Sequence, residues 1–536
     1  MAVSSLYFLG FLAVLFALYY IAPLKFRWIT LFLASVAFYL FAGWKFFIVL
    51  IFTSGCVYLG GLLIDSVIKK RGGYLAANKS QMDKETRKMY SKKTTGKKKW
   101  ALIFPLLLAL SCLCYFKYLG FADELSGGIF TQILPAKIMS VSLWEVLGIS
   151  FFTFQSLGYL IDVYREVAPA QRNPFKLFLF TGFFGSVSMG PICRYNDLAP
   201  QLYEGHKFDY ERTVRGLIRI AWGFFKKLVI ADAIAPFVNE VYGGYEKYPG
   251  GTAIMATVLF AFQLYCDFSG YMDIVIGAAK TLGITLPENF DTPYFSLTIS
   301  EYWRRWHITL GLWFKDYLFY PMLKSAFIQW INKRFAAYWG KKFIIKFTTY
   351  VCMYVLWFVI GLWHSAGWNF IIGSGLLHGT YIIFGEVCEP LWALIKKTFR
   401  INTDCFSYKL FQGLRTFSLV CVGFVFFRTG LGGGGLLRGI RILLHMGHGI
   451  FSWTFITPTL RDAGFDLAFF VPVAAFLLAL FTCSLLSQKR NIGHAFRQQN
   501  LLFRWIFYAV LCFLILFFGK WNLGAAASNQ FLYFVF

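Results

Sequence analysis

The stretch Phe347-Thr-Thr-Tyr-Val-Cys-Met-Tyr-Val-Leu-Trp-Phe-Val-Ile360 runs straight into Gly361-Leu-Trp-His-Ser-Ala-Gly-Trp-Asn369. An apolar run of nearly membrane-spanning length therefore ends on a histidine, His364. The whole chain supports a membrane setting, being 58% hydrophobic with a mean hydropathy of +0.58. At membrane depth an ionisable side chain is costly unless it lines a wet or protein-walled cavity, so His364 is a functional candidate from the outset. His307 lies in an equally unusual setting, Tyr302-Trp-Arg-Arg-Trp-His-Ile-Thr-Leu310, with two arginines and two tryptophans around it.

Outward from these sites, further apolar runs fall near Leu6–Leu24, Ile29–Ala42, Phe46–Ile64, Ala101–Phe116, Gly148–Val163, Gly216–Val241, Ala253–Ala278, Phe370–Phe384, Leu410–Phe427, Asp466–Ser487 and Leu501–Gly519. Since a crossing helix needs about 20 apolar residues, the pattern predicts an all-α polytopic membrane protein. Roughly ten to twelve transmembrane helices, with re-entrant segments, would surround a central funnel or tunnel. The amino terminus has no charged segment before Leu6 and no small-residue cleavage site after it, so the first span is expected to stay.

The net charge of +26, from 52 Lys and Arg against 26 Asp and Glu, would point to nucleic acid in a soluble chain. Here the cations cluster between apolar runs, the positive-inside pattern, and no nucleic-acid partner is expected. Residues 65–99 hold twelve Lys and Arg against three Asp and Glu and are expected to form a cytoplasmic loop. The same rule places Lys25/Arg27, Lys226/Lys227, Lys324 to Lys346 and Lys489 to Arg504 inside, which puts both termini outside the cytoplasmic membrane. The eleven cysteines include one close pair, Cys112-Leu-Cys114, and show no metal-ligand spacing. No metal site or disulfide scaffold is expected.

Between Cys266 and Pro321 the sequence stops resembling simple spans. Cys266-Asp-Phe-Ser-Gly-Tyr-Met-Asp273 sets two carboxylates at the end of an apolar run, and Leu286-Pro-Glu-Asn-Phe-Asp-Thr-Pro293 reads as an irregular, proline-bounded loop. Such backbone survives at membrane depth only where protein or water satisfies it. Thr298-Ile-Ser-Glu301 is a capping box, predicting a helix on which Trp303, Trp306, His307 and Leu310 share one face while Arg304 and Arg305 point elsewhere. An interfacial aromatic belt with snorkelling arginines is the plain alternative for the tryptophans.

Taken together, Asp267-Phe-Ser-Gly-Tyr271, Pro287-Glu-Asn-Phe290, Tyr302-Trp-Arg-Arg-Trp-His307, Asp316-Tyr-Leu318, Gly361-Leu-Trp-His364 and His378-Gly379 closely resemble the membrane-bound O-acyltransferase family. Within it, the chain resembles the bacterial branch of alginate and peptidoglycan O-acetylation proteins and teichoic-acid D-alanyl transferases. Gly148-Ile-Ser-Phe-Phe-Thr-Phe-Gln155, Gly190-Pro-Ile-Cys-Arg-Tyr195 and Gly223-Phe-Phe-Lys-Lys-Leu228 agree. The resemblance implies one integral membrane domain over 1–536, with core motifs in 148–384, a basic loop at 65–100 and an aromatic tail at 520–536. One departure stands out: many relatives follow Asp-Tyr-Leu with Pro-Leu-Gly-Gly, whereas Pro321-Met-Leu-Lys-Ser325 opens a longer basic stretch here.

The family places its catalytic histidine at the position of His364 and a second important polar residue at His307. Acyl transfer from a thioester to a hydroxyl needs a base, and imidazole, with a pKa of about 6.5, suits that task at neutral pH. Asn369, Trp306, Asp316 and His378 are supporting candidates. Arg304, Arg305 and Arg194, with Lys226/Lys227, are candidates to meet the phosphates of an acyl donor, acetyl-CoA or the phosphopantetheine of a carrier protein. No bound cofactor is implied.

The chain ends in Phe531-Leu-Tyr-Phe-Val-Phe536. This ending resembles the carboxyl-terminal aromatic motif of the small partner in teichoic-acid D-alanylation, which would make Tyr533 an acyl acceptor and relay. The implied function is acyl transfer, acetyl foremost, to an extracytoplasmic polysaccharide or cell-envelope polymer, completed by an extracytoplasmic SGNH-type esterase-like partner. D-alanyl transfer to teichoic acid, lipid or protein O-acylation, and a non-enzymatic transporter or flippase are the alternatives.

Overall fold

The computed structural model describes residues 3–78, 82–136, 138–139, 146–432, 434–448, 458–489 and 492–521. Among them the regular elements are helical, and extended pairing is limited to an isolated bridge between Phe290 and Trp306. The chain divides into two compact units, one of residues 1–217 with 275–287 and the other of residues 218–274 with 288–536.

The first unit opens with α1 (Leu6–Ile21), α2 (Arg27–Ala42), α3 (Trp44–Ala77), α4 (Lys84–Leu125) and α5 (Ile149–Tyr164). At 1.5 Å per residue, the 42 residues of α4 extend about 63 Å, roughly twice the hydrocarbon thickness. Its amino-terminal part is the basic segment, so the described parts of 65–99 are continuations of α3 and α4 and not the expected loop. The Lys, Glu and Arg that mark the segment as solvated are also good helix formers. Asp83 caps α4 by accepting from Thr86 N at 3.2 Å, and Tyr74 stacks on Tyr90 at 4.2 Å, so the two extensions pair. Gly60 allows the spanning parts to touch, since a Cβ there would lie 2.8 Å from Pro105.

Helix α5 is buried on nearly every side. Its Gln155 donates to Phe180 O at 2.6 Å and accepts from Cys193 N at 3.1 Å. Two sequence motifs, 148–155 and 190–195, thus meet through one satisfied buried amide.

The chain continues through α6 (Tyr210–Phe224), a π-helical turn (Phe225–Ala231), α7 (Asp232–Gly243) and α8 (Gly250–Thr281). In the second unit follow α9 (Ile299–Arg305), α10 (Ile308–Phe314), α11 (Lys341–His364), a second π turn (Phe370–Leu376), α12 (Leu377–Val387), α13 (Phe406–Leu431), α14 (Leu467–Lys489) and α15 (Leu501–Phe518). Among the described residues nine helices are long and apolar enough to cross a membrane. Three of the twelve apolar runs are not among them. Leu6–Leu24 and Gly148–Val163 form the sixteen-residue helices α1 and α5, and Gly216–Val241 is divided by the π turn.

That division corrects one expectation. Lys226 and Lys227 are not cations of a cytoplasmic edge but buried residues of the π turn, 4% and 2% exposed. Lys226 Nζ lies 2.7 Å from Asp273 and donates to Ser269 Oγ at 2.8 Å. Lys227 Nζ lies 2.7 Å from Asp267 and 2.9 Å from Asp232. Arg219 extends the row, 2.9 Å from Asp273 and 2.6 Å from Glu288. Gly223 brings α6 against α8: a Cβ there would meet Gly270 O at 2.6 Å. The charges compensate each other inside the unit, which also removes Lys226 and Lys227 as phosphate ligands.

Candidate active site

The helix predicted to carry Trp303, Trp306, His307 and Leu310 on one face is broken. Helix α9 stops at Arg305, and His307 takes a left-handed backbone, φ +48°, before α10 begins. Asn289, from the proline-bounded loop, holds the break. Its side-chain oxygen accepts from Thr309 N at 2.9 Å and from Thr309 Oγ1 at 2.7 Å, while its carbonyl accepts from Ile308 N at 3.0 Å. Asp291 N donates to Arg305 O at 3.0 Å. The capping box at Thr298 forms, with Glu301 N donating to Thr298 Oγ1 at 3.1 Å. The motif Pro287-Glu-Asn-Phe290 thus sets the turn that presents His307.

His364 is the last residue of α11 and is 4% exposed. Its ring meets Trp363 at 5.1 Å between centroids and Phe427 at 5.7 Å. His307, 2% exposed, meets the same Trp363 at 5.8 Å and Phe268 at 4.9 Å. The two histidines therefore flank one indole, and Phe268, Trp363 and Phe427 line their surroundings. Aromatic walls exclude bulk water while leaving imidazole nitrogens to exchange protons. Glycines make the position possible: a Cβ at Gly361 would lie 2.7 Å from Ile371 Cα, and one at Gly375 would lie 2.4 Å from Trp357 O. Helix α11 is thereby pressed against the second π turn.

Asn369 is 7% exposed just before that π turn, where a Cβ on Gly430 would touch its amide nitrogen at 2.6 Å. His378 is buried on α12. It packs on Trp303 at 4.9 Å and Trp357 at 6.0 Å, and a Cβ on Gly423 would meet its Nε2 at 2.6 Å. Trp306 is buried in a cluster with Phe290, Tyr302 and Phe424 at 5.0, 5.6 and 5.9 Å. Asp316 is half-buried in a π turn, Lys315–Phe319, that continues α10.

The arginine candidates differ in their local settings. Arg305 is paired with Glu301 at 2.8 Å, Arg304 is exposed, and Arg194 caps a helix of the first unit, Tyr195–Tyr203. Tyr533 lies outside the described residues. Sequence reasoning did not assign a role to Asn289, Phe268 or Phe427. Asn289 was visible inside a quoted motif, but no local signal marked Phe427, which reaches the site from α13.

The model of the family described as MBOAT, membrane-bound O-acyltransferase family, matches residues 136–419. The chain belongs to this family. The match contains His307, Trp363 and His364, and the chain is an O-acyltransferase embedded in a membrane by multiple helices. It is similar to the "Probable alginate O-acetylase AlgI" of Azotobacter vinelandii, 31% identical over 80% of this chain and 74% of that protein. It is also similar to the peptidoglycan O-acetyltransferase of Helicobacter pylori, 31% identical over 64% of each chain. The teichoic acid D-alanyltransferase of Bacillus subtilis is 26% identical over 61% of this chain and 82% of its own.

Proposed function

We propose that this O-acyltransferase moves an acyl group, acetyl foremost, from a cytoplasmic thioester to a polysaccharide or cell-envelope polymer outside the cytoplasmic membrane, with both termini on the outer side. The observation that carries the reading is the pair of buried histidines flanking Trp363, in a chain related to acetylating enzymes of alginate and peptidoglycan.

In this reading His364 takes the proton of an attacking hydroxyl. That oxygen adds to the thioester carbonyl, the carbon–sulfur bond breaks, and the sulfur leaves to be protonated as the free thiol. His307 and Asn369 stabilise the oxygen that becomes negative in between. The first acceptor is the phenol of Tyr533. Phenol, with a pKa of about 10, is a far better leaving group than an alkyl alcohol, so an acyl-tyrosine keeps much of the thioester's transfer potential. An extracytoplasmic SGNH-type partner then passes the group to the polymer. Arg304, Arg305 and Arg194 remain the donor-phosphate candidates. D-alanyl transfer is the second reading, favoured by the similarity to the teichoic acid enzyme.

Intact-protein mass spectrometry after incubation with acetyl-CoA, acetylated carrier protein or D-alanylated carrier protein tests donor, base and acceptor together. Acylated wild-type protein is expected, with the added mass on the terminal peptide. His364→Ala and Tyr533→Phe should each abolish it. Unchanged polymer acylation by Tyr533→Phe would end the relay.

A further inference from the structure

The first unit holds a cavity of about 340 Å³ lined by Tyr20, His206, Lys207, Phe208, Arg212 and Lys280, among others. Asp209, its carboxylate, is engaged at the start of α6, where Oδ1 accepts from Arg212 N at 2.9 Å. Two lysines, an arginine and a histidine thus share the cavity with one carboxylate, which leaves the lining net positive. Arg212 is held in place by donating Nη2–H to Thr285 Oγ1 at 2.8 Å. The His206 ring is fixed by a 2.7 Å hydrogen bond with Gln201 O.

The shape is also fixed. Tyr20, at the end of α1, donates to Thr281 O at 2.8 Å and so ties that helix to the end of α8. Gly205 and Gly283 let the backbone close in: a Cβ on Gly205 would lie 2.3 Å from Leu24 O, and one on Gly283, φ +86°, would lie 2.4 Å from His206 Cβ. The rim has the opposite character. Phe208 lines the cavity yet is half exposed, edge-on to Tyr20 at 5.3 Å and Phe16 at 6.2 Å. Ile21, Leu24, Phe26 and Tyr210 nearby in the chain expose apolar surface. These residues lie where a helix of nearly bilayer length ends, at the depth of lipid headgroups. Lys25, exposed in the same turn, marks that side as the cytoplasmic leaflet, which carries acidic lipid.

We infer that this cavity binds the phosphate headgroup of an acidic phospholipid, whose acyl chains run along the exposed apolar rim of α1. The cations account for a phosphate-bearing ligand, and the rim singles out a lipid over a soluble phosphate. The inference does not depend on the acyl group, the donor or Tyr533.

Native mass spectrometry of delipidated full-length protein with phosphatidylglycerol or phosphatidylcholine of identical chains tests it. Phosphatidylglycerol is expected to be retained selectively, and inorganic phosphate and coenzyme A should not displace it. Lys207→Gln and Lys280→Gln should each weaken its binding about five-fold and together about thirty-fold, leaving phosphatidylcholine unaffected. Equal retention of the two lipids, or wild-type affinity in the double variant, would overturn the proposal. Displacement by inorganic phosphate or coenzyme A would assign the cavity to a soluble ligand and overturn the lipid. The melting temperature in phosphatidylcholine should match wild type. If the double variant does not fold, Lys207→Gln alone, at an exposed residue, must still lower phosphatidylglycerol affinity, and unchanged affinity refutes the site.

Discussion

Two buried polar regions of the second unit contrast in how they meet the cost of leaving water. Along the first π turn, Lys226 and Lys227 are matched with Asp232, Asp267 and Asp273 through contacts of 2.7–2.9 Å. Around Trp363, the histidines instead face rings at 4.9–5.8 Å. Buried formal charges survive by pairing, and that pairing makes them structural. Imidazole can enter an apolar wall uncharged and keep a proton-transfer function there. Buried polarity alone therefore does not mark a catalytic residue in this membrane protein.

Breaking each region should produce a different loss. His364→Gln is expected to lower acyl transfer roughly 10²- to 10⁴-fold with the melting temperature nearly unchanged, measured with a labelled donor and a thermal melt. Activity within ten-fold of wild type would remove His364 as the base. Lys227→Met leaves Asp267 and Asp232 without their shared cation and should cost about 3–5 kcal/mol of stability. Loss of monodisperse protein in detergent gel filtration would report it, and adding Asp267→Asn should recover part. An unaltered melt in the single variant would contradict a structural role for the row.

Asn289→Ala sharpens the contrast, because it touches no reacting group yet supports His307. Removing its acceptor should cost about 1–3 kcal/mol and depress transfer, whereas Asn289→Asp, which keeps the acceptor, should retain more of both. Equal transfer by the two variants would show that the turn does not matter to the chemistry. The exposed Lys69–Asp65 pair sets the floor of the scale. Lys69→Ala should change stability by less than about 0.5 kcal/mol, and a larger shift would mean the α3 extension carries weight that exposure does not reveal.

The spans were legible because their cause is local. Ile29–Ala42 became Arg27–Ala42, and Leu501–Gly519 became Leu501–Phe518. His364 stands out in the sequence because an ionisable residue is rare at the end of an apolar run, and His307 because two arginines and two tryptophans crowd around it. The break at His307 was hidden because Tyr302 to Leu310 satisfies a helical pattern; Asn289 enforces the turn from outside that segment. Lys226 and Lys227 look like edge cations in the sequence because two of their three carboxylates, Asp267 and Asp273, lie 40 or more residues later in the chain, although both stand out there as acids beside an apolar run.

The left-handed backbone of His307 has a consequence for what substitution at that position can report. Histidine and asparagine tolerate φ near +48° better than most residues, glycine accepts it freely, and β-branched residues resist it. A complete substitution library at 307, sorted first for expression and then for turnover, should separate into three populations. Gly and Asn would survive the first sort and fail the second, Val, Ile and Thr would fail the first, and His alone would pass both at full strength. One position would then read out two selective demands, one conformational and one chemical.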